Sequence, residues 1–264
     1  AECYVIYGWA EHERGEDAAA SLARALTLLK NADGLEAHLV RGEAYCVLAR
    51  VKRDRGRLEG RDPAELKSAA AEFEKAAHLH PAAWLRRAEV LGLWHSVQAS
   101  SGERSMRLLE QARDDYRRAA DLVPKYVDAQ AGFVIVRCRL AKAEAKDGAA
   151  RITAIEEAAR ELTVIADAHP ERVTMRVMAG EMRLDVAEEQ EQLGQVGDYD
   201  AAWKEFDAAL AKTPRNADAL RRRGRAKLSL GVRSENRGED GSAMFELALR
   251  DLEQAVAING GDAE

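Results

Sequence analysis

The stretch from Gly197 to Gly231 reads GDYDAAWKEFDAALAKTPRNADALRRRGRAKLSLG and predicts two consecutive helices joined by a short turn. Asp198 is a suitable N-cap for the first helix, Pro214 prevents its continuation, and Asn216 is a suitable N-cap for the second. The apolar residues of the first helix recur every three or four positions and therefore share one face: Ala202, Trp203, Phe206, Ala209 and Leu210.

The same unit recurs along the chain. The residues that end its second helix are spaced by 43, 46, 44 and 46 positions: Pro81, Pro124, Pro170, Pro214 and Gly260. A further copy, RALTLLK, ends at Lys30. Upstream of each end lies a ladder of small and large apolar residues: Ala18/Leu22/Ala25, Ala69/Phe73/Ala76, Ala112/Tyr116/Ala119, Ala158/Leu162/Ile165, Ala202/Phe206/Ala209 and Ala248/Leu252/Ala255. Small residues let two helices approach while a large one fills the groove between them, so six helix pairs are expected.

These motifs resemble the tetratricopeptide repeat (TPR). The order is Gly-Asp-Tyr, then Ala-x3-Phe-x2-Ala-x4-Pro, then Leu220 four positions before Gly224. The resemblance implies an all-α fold, a right-handed α-solenoid of about six antiparallel helix pairs that forms a single domain over 1–264. No copy carries the family's complete first-helix motif, and the register of AGFVIVRC at 131–138 is ambiguous. The repeat is also longer than the family's, which has about 34 residues, and we assign the surplus to longer helices.

Periodicity and turn signals together predict twelve helices. The expected turns lie near Gly15, Gly60, Gly102, Gly148, Gly197 and Gly241. Pro63 is expected at the first helical position after Asp62. The helices are predicted at 2–13, 16–30, 34–54, 62–79, 82–99, 104–122, 125–146, 149–168, 171–193, 198–212, 215–232 and 242–258.

Composition excludes several classes of protein. The 264 residues include only 5 prolines and no linker-like stretch, the aromatic content is 5%, and no sheet is expected. A net charge of -6 argues against non-specific binding to nucleic acid or to an anionic membrane. No apolar run approaches the ~20 residues that span a bilayer. Since the chain has no initiator Met and opens within a helix, we expect a piece of a longer protein.

Three cysteines, Cys3, Cys46 and Cys138, lack CxxC spacing, and we interpret them as small buried residues of a protein in a reducing compartment. The histidines are interpreted as surface or helix-end residues: His12, His38, His78, His80, His95 and His169. Neither a zinc-binding HExxH helix nor a nucleotide-binding or nucleophile motif occurs. The sequence therefore predicts no catalytic, cofactor or metal site.

Two other clusters have ordinary structural interpretations. The carboxylates of Glu188, Glu189 and Glu191 are interpreted as a solvated helix face. Methionines and tryptophans are interpreted as packing residues: Met175, Met178, Met182, Trp9, Trp84, Trp94 and Trp203.

The TPR resemblance implies a concave groove lined by the first helix of each pair. In the last copy it assigns to this groove Asp218, Arg221, Arg225, Leu228 and Ser229. In the copy before, the residues are Thr174, Val177, Glu181, Leu184 and Asp185, and in the second copy Leu39, Glu43, Cys46 and Val47. The four asparagines fall at predicted loops or caps, which argues against the family's carboxylate clamp.

The function predicted is therefore a protein-interaction or scaffold module that binds a peptide or partner protein, with no cofactor, no nucleic acid and no membrane contact. One alternative is a regulatory or sensor segment of a larger protein. Another is an all-helical small-ligand binder or enzyme on the same scaffold, which a deep pocket with converging buried polar groups would favour.

Two hypotheses concern Arg221 and Arg225. Their guanidiniums either hold an acidic group of a peptide or pair with Glu181 and Asp185 on the neighbouring first helix.

Overall fold

The computed structural model describes residues 1–14, 16, 18–54, 63–98 and 103–259. Over these ranges the chain forms twelve α-helices and no strand. In chain order the helices are α1 (Glu2–Glu13), α2 (Ala19–Leu28), α3 (Leu35–Asp54), α4 (Ala64–Ala77), α5 (Ala82–Gln98), α6 (Glu103–Leu122), α7 (Val127–Glu144), α8 (Gly148–Ala168), α9 (Val173–Gln192), α10 (Tyr199–Lys212), α11 (Ala217–Asn236) and α12 (Ser242–Asn259).

The predicted helices are confirmed, with shifts at some ends. α11 continues to Asn236, beyond the predicted end at 232. Gly231 lies inside the helix rather than at its end, and a Cβ there would stand 2.6 Å from the Phe245 ring, so the glycine permits close packing against α12. Pro63 is the N-cap of α4 rather than its first helical residue. The predicted ends at 62 and 99, the turn glycines 15, 60 and 102, and the terminator at 260 lie outside the described residues.

Three helices begin at residues whose side chains cap them, and all three residues lie at or beside predicted turns. Asp198 accepts a hydrogen bond from the backbone N–H of Ala201 (3.2 Å), and Asn216 accepts one from Ala219 (2.9 Å). Asp147 does the same for α8, with Ala150 as donor at 2.8 Å. Each cap satisfies an N–H that has no partner within the helix, so these residues fix where the helices begin.

Consecutive helices pack antiparallel. Tyr199, at the start of α10, donates to Glu191 at the end of α9 (2.8 Å), whereas Glu205, further along α10, accepts from Arg176 near the start of α9 (3.1 Å). Between them Phe206 covers Gly180, where a Cβ would stand 2.6 Å from the ring. The TPR-like helix pair predicted from the sequence is confirmed. The helices of the chain are long, and α8 has 21 residues.

Most ladder residues are fully buried, whereas Tyr116 and Leu252 are half-buried. In the fourth copy Ile165 is only half-buried and Ala166 takes the fully buried position, one residue along the helix. In the same copy Gly132 faces the Tyr116 ring of α6, so it is not equivalent to Gly180, which faces its own partner helix. The ambiguous register of 131–138 reflects this difference.

The chain divides into two compact units, Ala1–Leu140 and Ala141–Glu264, called unit 1 and unit 2. Unit 1 has a core that includes Leu66, Phe73 and Leu109. Unit 2 has one that includes Tyr199 and Phe206. The single domain expected from the sequence stays a prediction.

Cys46 and Cys138 are buried thiols, as predicted, but Cys3 is exposed on α1. The prediction for Cys3 is wrong because its position on α1 faces away from α2 and α3. Trp94 and Met175 are buried in the core. Trp9, Trp84 and Trp203 are half-buried, and each has a cation over its ring.

Candidate functional site

Unit 1 contains an open cleft of about 950 Å³ between the first helices of its pairs. Its lining comes from positions 2–9 of α1, 36–50 of α3 and 86–90 of α5. Within each helix these positions recur every three or four residues, so the cleft is bounded by one face of each helix. Phe73 of α4 and the turn between α2 and α3 complete it.

The floor of the cleft is apolar. Val5 and Val47 are buried, and Val40 and Trp9 are half-buried beside them. Ile6 also lines the cleft and is 63% exposed, so a large apolar side chain is available to a ligand. Isolated exposed apolar residues are common, but one that borders an apolar concave surface adds to a binding site.

All four residues that the sequence assigned to the groove from the second copy line this cleft: Leu39, Glu43, Cys46 and Val47. The contributions of α1 and α5 were missed because those copies lack most of the first-helix motif. The available signal was the three- and four-residue spacing of Glu2, Val5, Ile6 and Trp9.

Arg86 lies between two carboxylates in the cleft. Its guanidinium is 3.1 Å from Glu43 and 2.9 Å from Glu89. Burial raises the pKa of Glu43, against the attraction of Arg86, and the neighbouring Glu89 raises it further. One positive charge thus faces two negative ones, and one negative charge remains in excess. Burial also raises the pKa of the Cys46 thiol, which stays protonated at neutral pH and acts as an apolar residue.

The second guanidinium of the cleft, that of Arg50, stacks on an aromatic ring. It lies 5.3 Å from the ring centroid of Trp9. This cation–π contact joins α3 to α1 across the cleft wall and gives the Arg50 guanidinium a partner within the chain.

A polar network holds one end of the cleft. Arg41 donates to the carbonyls of Leu29 (2.8 Å) and Ala32 (2.7 Å), both in the lining, and to Glu72 of α4 (2.7 Å). These bonds fix the turn between α2 and α3 to the second helix pair.

His38 belongs to the same network and is buried between Asp33 (3.0 Å) and Glu72 (2.8 Å). The interpretation as a surface or helix-end residue holds in part: His38 lies in the first turn of α3 but is buried, and these carboxylates compensate its burial. Although desolvation opposes it, hydrogen bonds from His38, Arg41 and Lys75 lower the pKa of Glu72 to about 2.

In unit 2 the predicted groove residues of α11 are mostly accessible but already paired. Arg221 donates to Asp218 on its own helix (2.7 Å). Nη2 of Arg225 lies 2.7 and 2.8 Å from the two carboxylate oxygens of Glu188 on α9. Leu228 is exposed and Ser229 is half-buried.

The predicted groove residues of α9 have different environments. Val177 and Leu184 are buried and belong to the core of unit 2. Thr174 is exposed, Glu181 pairs with Arg222, and Asp185 lies 3.7 Å from Lys142.

The predicted pairing of Arg221 and Arg225 with Glu181 and Asp185 is therefore wrong in its partners. It is Arg222, one position along α11, that faces Glu181, and Arg225 reaches Glu188 instead of Asp185. The general idea of opposite charges joining α9 to α11 is nevertheless seen in both pairs.

The solvated face predicted for Glu188, Glu189 and Glu191 is also wrong. Glu189 is paired with Arg151 of α8, and Glu191 accepts from Tyr199. The sequence could not reveal these partners, since Arg151 lies 38 positions away.

In the described ranges no group of three or more His, Cys, Asp and Glu side chains is arranged to hold a metal ion. None of the helices described is both long and apolar enough to cross a membrane.

The paired long helices define a TPR-like helical-repeat scaffold. No family model matches the sequence. No curated protein matches it either.

Among solved structures, the chain is similar to YrrB, which is described as a TPR protein with an unusual peptide-binding site. The sequence identity is 17%, the match covers 91% of this chain and 93% of that chain, and the TM-score is 0.41. It is also similar to MamA AMB-1 (17% identity, 83% and 99% covered, TM-score 0.35). A third is a monomeric mutant of IFIT1 with m7Gppp-AAAA (13% identity, 98% and 62% covered, TM-score 0.37). At these scores the likenesses add nothing to what the helix pairs themselves define.

Proposed function

We propose that this chain is a protein-interaction module whose first helices bind an extended peptide or a segment of a partner protein. The observation that carries the proposal is the cleft of about 950 Å³ in unit 1, with an apolar floor and charged groups along its sides. Ligand sites combine concavity, apolar lining and a few polar groups in this way.

The openness of the charged groups favours a chain-like ligand over a small molecule. The side chains of Glu43, Glu89 and Arg86 are 38%, 34% and 50% exposed. A small-ligand or enzyme site on the same scaffold would instead need converging polar groups that are buried. The proposal involves no cofactor and no nucleic acid, and it also fits a regulatory or sensor segment of a larger protein.

The α9 and α11 residues of unit 2 form a second proposed surface: Asp218, Arg221, Arg225, Ser229, Glu181 and Asp185. An acidic peptide would have to displace Asp218 from Arg221 and Glu188 from Arg225. Because such exchange returns little net energy, we rank this surface below the cleft of unit 1. Val177, predicted for the same groove, stays part of this proposal, but as a buried residue it offers little accessible surface to a ligand.

A random dodecapeptide library displayed on phage and selected on the whole chain tests the proposal. Selected peptides are then measured by fluorescence anisotropy against the Ile6→Ser/Val40→Ser variant and the Arg221→Ala/Arg225→Ala variant. We expect the first variant to stay folded and to lose binding, with a modest fall in melting temperature, because Ile6 is exposed whereas half-buried Val40 packs against the core. Failure to select any peptide that either variant weakens would contradict the proposed function.

A further inference from the structure

We infer that the cleft of unit 1 selects segments that carry lysine or arginine next to apolar anchor residues. This inference rests on the proposed function and adds the chemistry of the partner. It comes from the balance of charge in the lining, the availability of two carboxylates, and the position of the apolar surface between the charged groups.

The lining has an excess of negative charge. It contains two guanidiniums, Arg50 and Arg86, and five carboxylates: Glu2, Asp33, Glu36, Glu43 and Glu89. Both guanidiniums are already engaged, Arg86 between two carboxylates and Arg50 on the Trp9 ring. A concave surface with one sign of charge in excess raises the local concentration of ligands of the opposite sign.

Two of these carboxylates are open to a ligand. Glu2 and Glu36 are exposed in the first turns of α1 and α3, where the helix dipole favours an acidic side chain without a cationic partner. Within the described part of the chain, neither takes part in an ion pair or a hydrogen bond of its side chain. A lysine or arginine of a ligand would therefore not have to displace an existing cation.

The Arg86 site favours a cation for a related reason. Glu43 and Glu89 share a single guanidinium, so a second cation placed beside them would balance the remaining negative charge. A ligand carboxylate would meet repulsion both here and at Glu2 and Glu36, so the arrangement also discriminates against acidic segments.

Apolar surface lies beside these charged groups. Ile6 is one turn from Glu2 on α1, and Val40 is one turn from Glu36 on α3. Apolar side chains of the ligand would supply most of the affinity there, and the carboxylates would determine selectivity and the rate of association. The occupant we propose is a basic, amphipathic segment rather than a uniformly apolar or an acidic one.

The test uses those selected peptides whose binding the Ile6→Ser/Val40→Ser variant abolishes. We expect them to be enriched in Lys or Arg beside Leu, Ile, Val or Phe. For the tightest one, a version with every Lys and Arg replaced by Gln should bind about three- to tenfold more weakly, as the loss of two exposed ion pairs would give. The difference should shrink as salt is added, because exposed charges are screened.

The Glu2→Gln/Glu36→Gln variant locates the effect. On it the basic peptide should lose most of that factor, because the place beside Glu43 and Glu89 is still present, while the Gln version binds as it does to the natural chain. The matched control is Glu156→Gln/Glu157→Gln, which removes two exposed carboxylates from α8 in unit 2. It changes the net charge equally and should leave both affinities unchanged, whereas an equal loss there would indicate a non-specific charge effect and overturn the inference.

The two proposals fail differently. Cleft-dependent peptides without basic residues, or with acidic ones, overturn the inference and leave the proposed function standing. If no selected peptide is weakened by either variant, the proposed function fails at the library stage and the inference fails with it. Peptides that only the Arg221→Ala/Arg225→Ala variant weakens overturn the inference and leave the proposed function standing.

Discussion

Arg225 of α11 holds both carboxylate oxygens of Glu188 on α9, at 2.7 and 2.8 Å from one guanidinium nitrogen. The pair joins the first helices of two consecutive repeats, yet the Arg225 side chain is 53% exposed. We predict that Arg225→Ala lowers the free energy of unfolding by at most about 1 kcal/mol, because water and salt screen exposed pairs. Urea titration at low and high salt measures the loss, and a salt-independent loss of several kcal/mol would contradict the prediction.

Glu189, one residue along α9, should behave differently. Its side chain is 12% exposed and pairs with Arg151 of α8. Glu189→Ala is expected to lower the free energy of unfolding by about 1–2 kcal/mol, which is more than an exposed substitution costs. The range is kept low because the Arg151 guanidinium is partly exposed and water screens the pair.

A double-mutant cycle with Arg151→Ala isolates the Glu189–Arg151 interaction, with the exposed Glu156→Ala on α8 as control. A coupling energy near zero would show that the pair does not stabilise unit 2.

The contrast between Glu188 and Glu189 illustrates what the sequence could reveal. Local signals such as Asp198, Asn216 and the apolar ladder depend on neighbours within a few positions, and they located the helices well. The partner of a surface carboxylate depends instead on how a distant helix is rotated about its axis. An error of one residue in the assigned register turns the predicted face of that helix by about 100°. For that reason the sequence predicts Arg221 as the partner of Glu181, whereas the structure has Arg222 there. The buried network of His38 depends on distant residues in the same way and was not predicted.

The cleft was foreseen in part for the same reason. Its α3 residues could be assigned because Gly42 and Tyr45 of α3 resemble the glycine and the tyrosine of the TPR first-helix motif, which sets the register. α1 and α5 carry too little of that motif, and their lining positions emerged only when the helices were packed together.

Phe206 should be among the most sensitive positions of unit 2. It is 0% exposed and fills the space above Gly180 between α9 and α10. Phe206→Ala is expected to destabilise the chain by about 3–5 kcal/mol, through lost burial and the cavity left behind. The control is Val164→Ala on the exposed face of α8, which should stay within about 0.5 kcal/mol. Similar effects for both in chemical denaturation would show that the helix pair is packed differently.

Asp115 of α6 gives unit 1 an unusual dependence of stability on pH. Its side chain is buried, it lies 3.3 Å from Arg87, and its Oδ2 has no hydrogen-bond partner among the residues that the structure describes. Burial raises the pKa of Asp115 to about 6, although Arg87 and Arg118 oppose the shift. Since the carboxyl is harder to ionise in the folded chain than in the unfolded one, folding favours its protonated form.

The sign of the effect follows from linkage. Between pH ~4 and ~6 the folded chain holds a proton on Asp115 that the unfolded chain has released, so stability from this group is lost as pH rises through that window. We expect Asp115→Asn to remove this loss. Between pH 4 and pH 7 the free energy of unfolding of the variant should therefore fall by about 1–3 kcal/mol less than that of the natural chain. Urea unfolding across that range measures it, with Asp114→Asn, an exposed neighbour paired to Arg113, as control. If Asp115→Asn and Asp114→Asn give the same pH profile as the natural chain, Asp115 is ionised in the folded state throughout, and Arg87 compensates its burial.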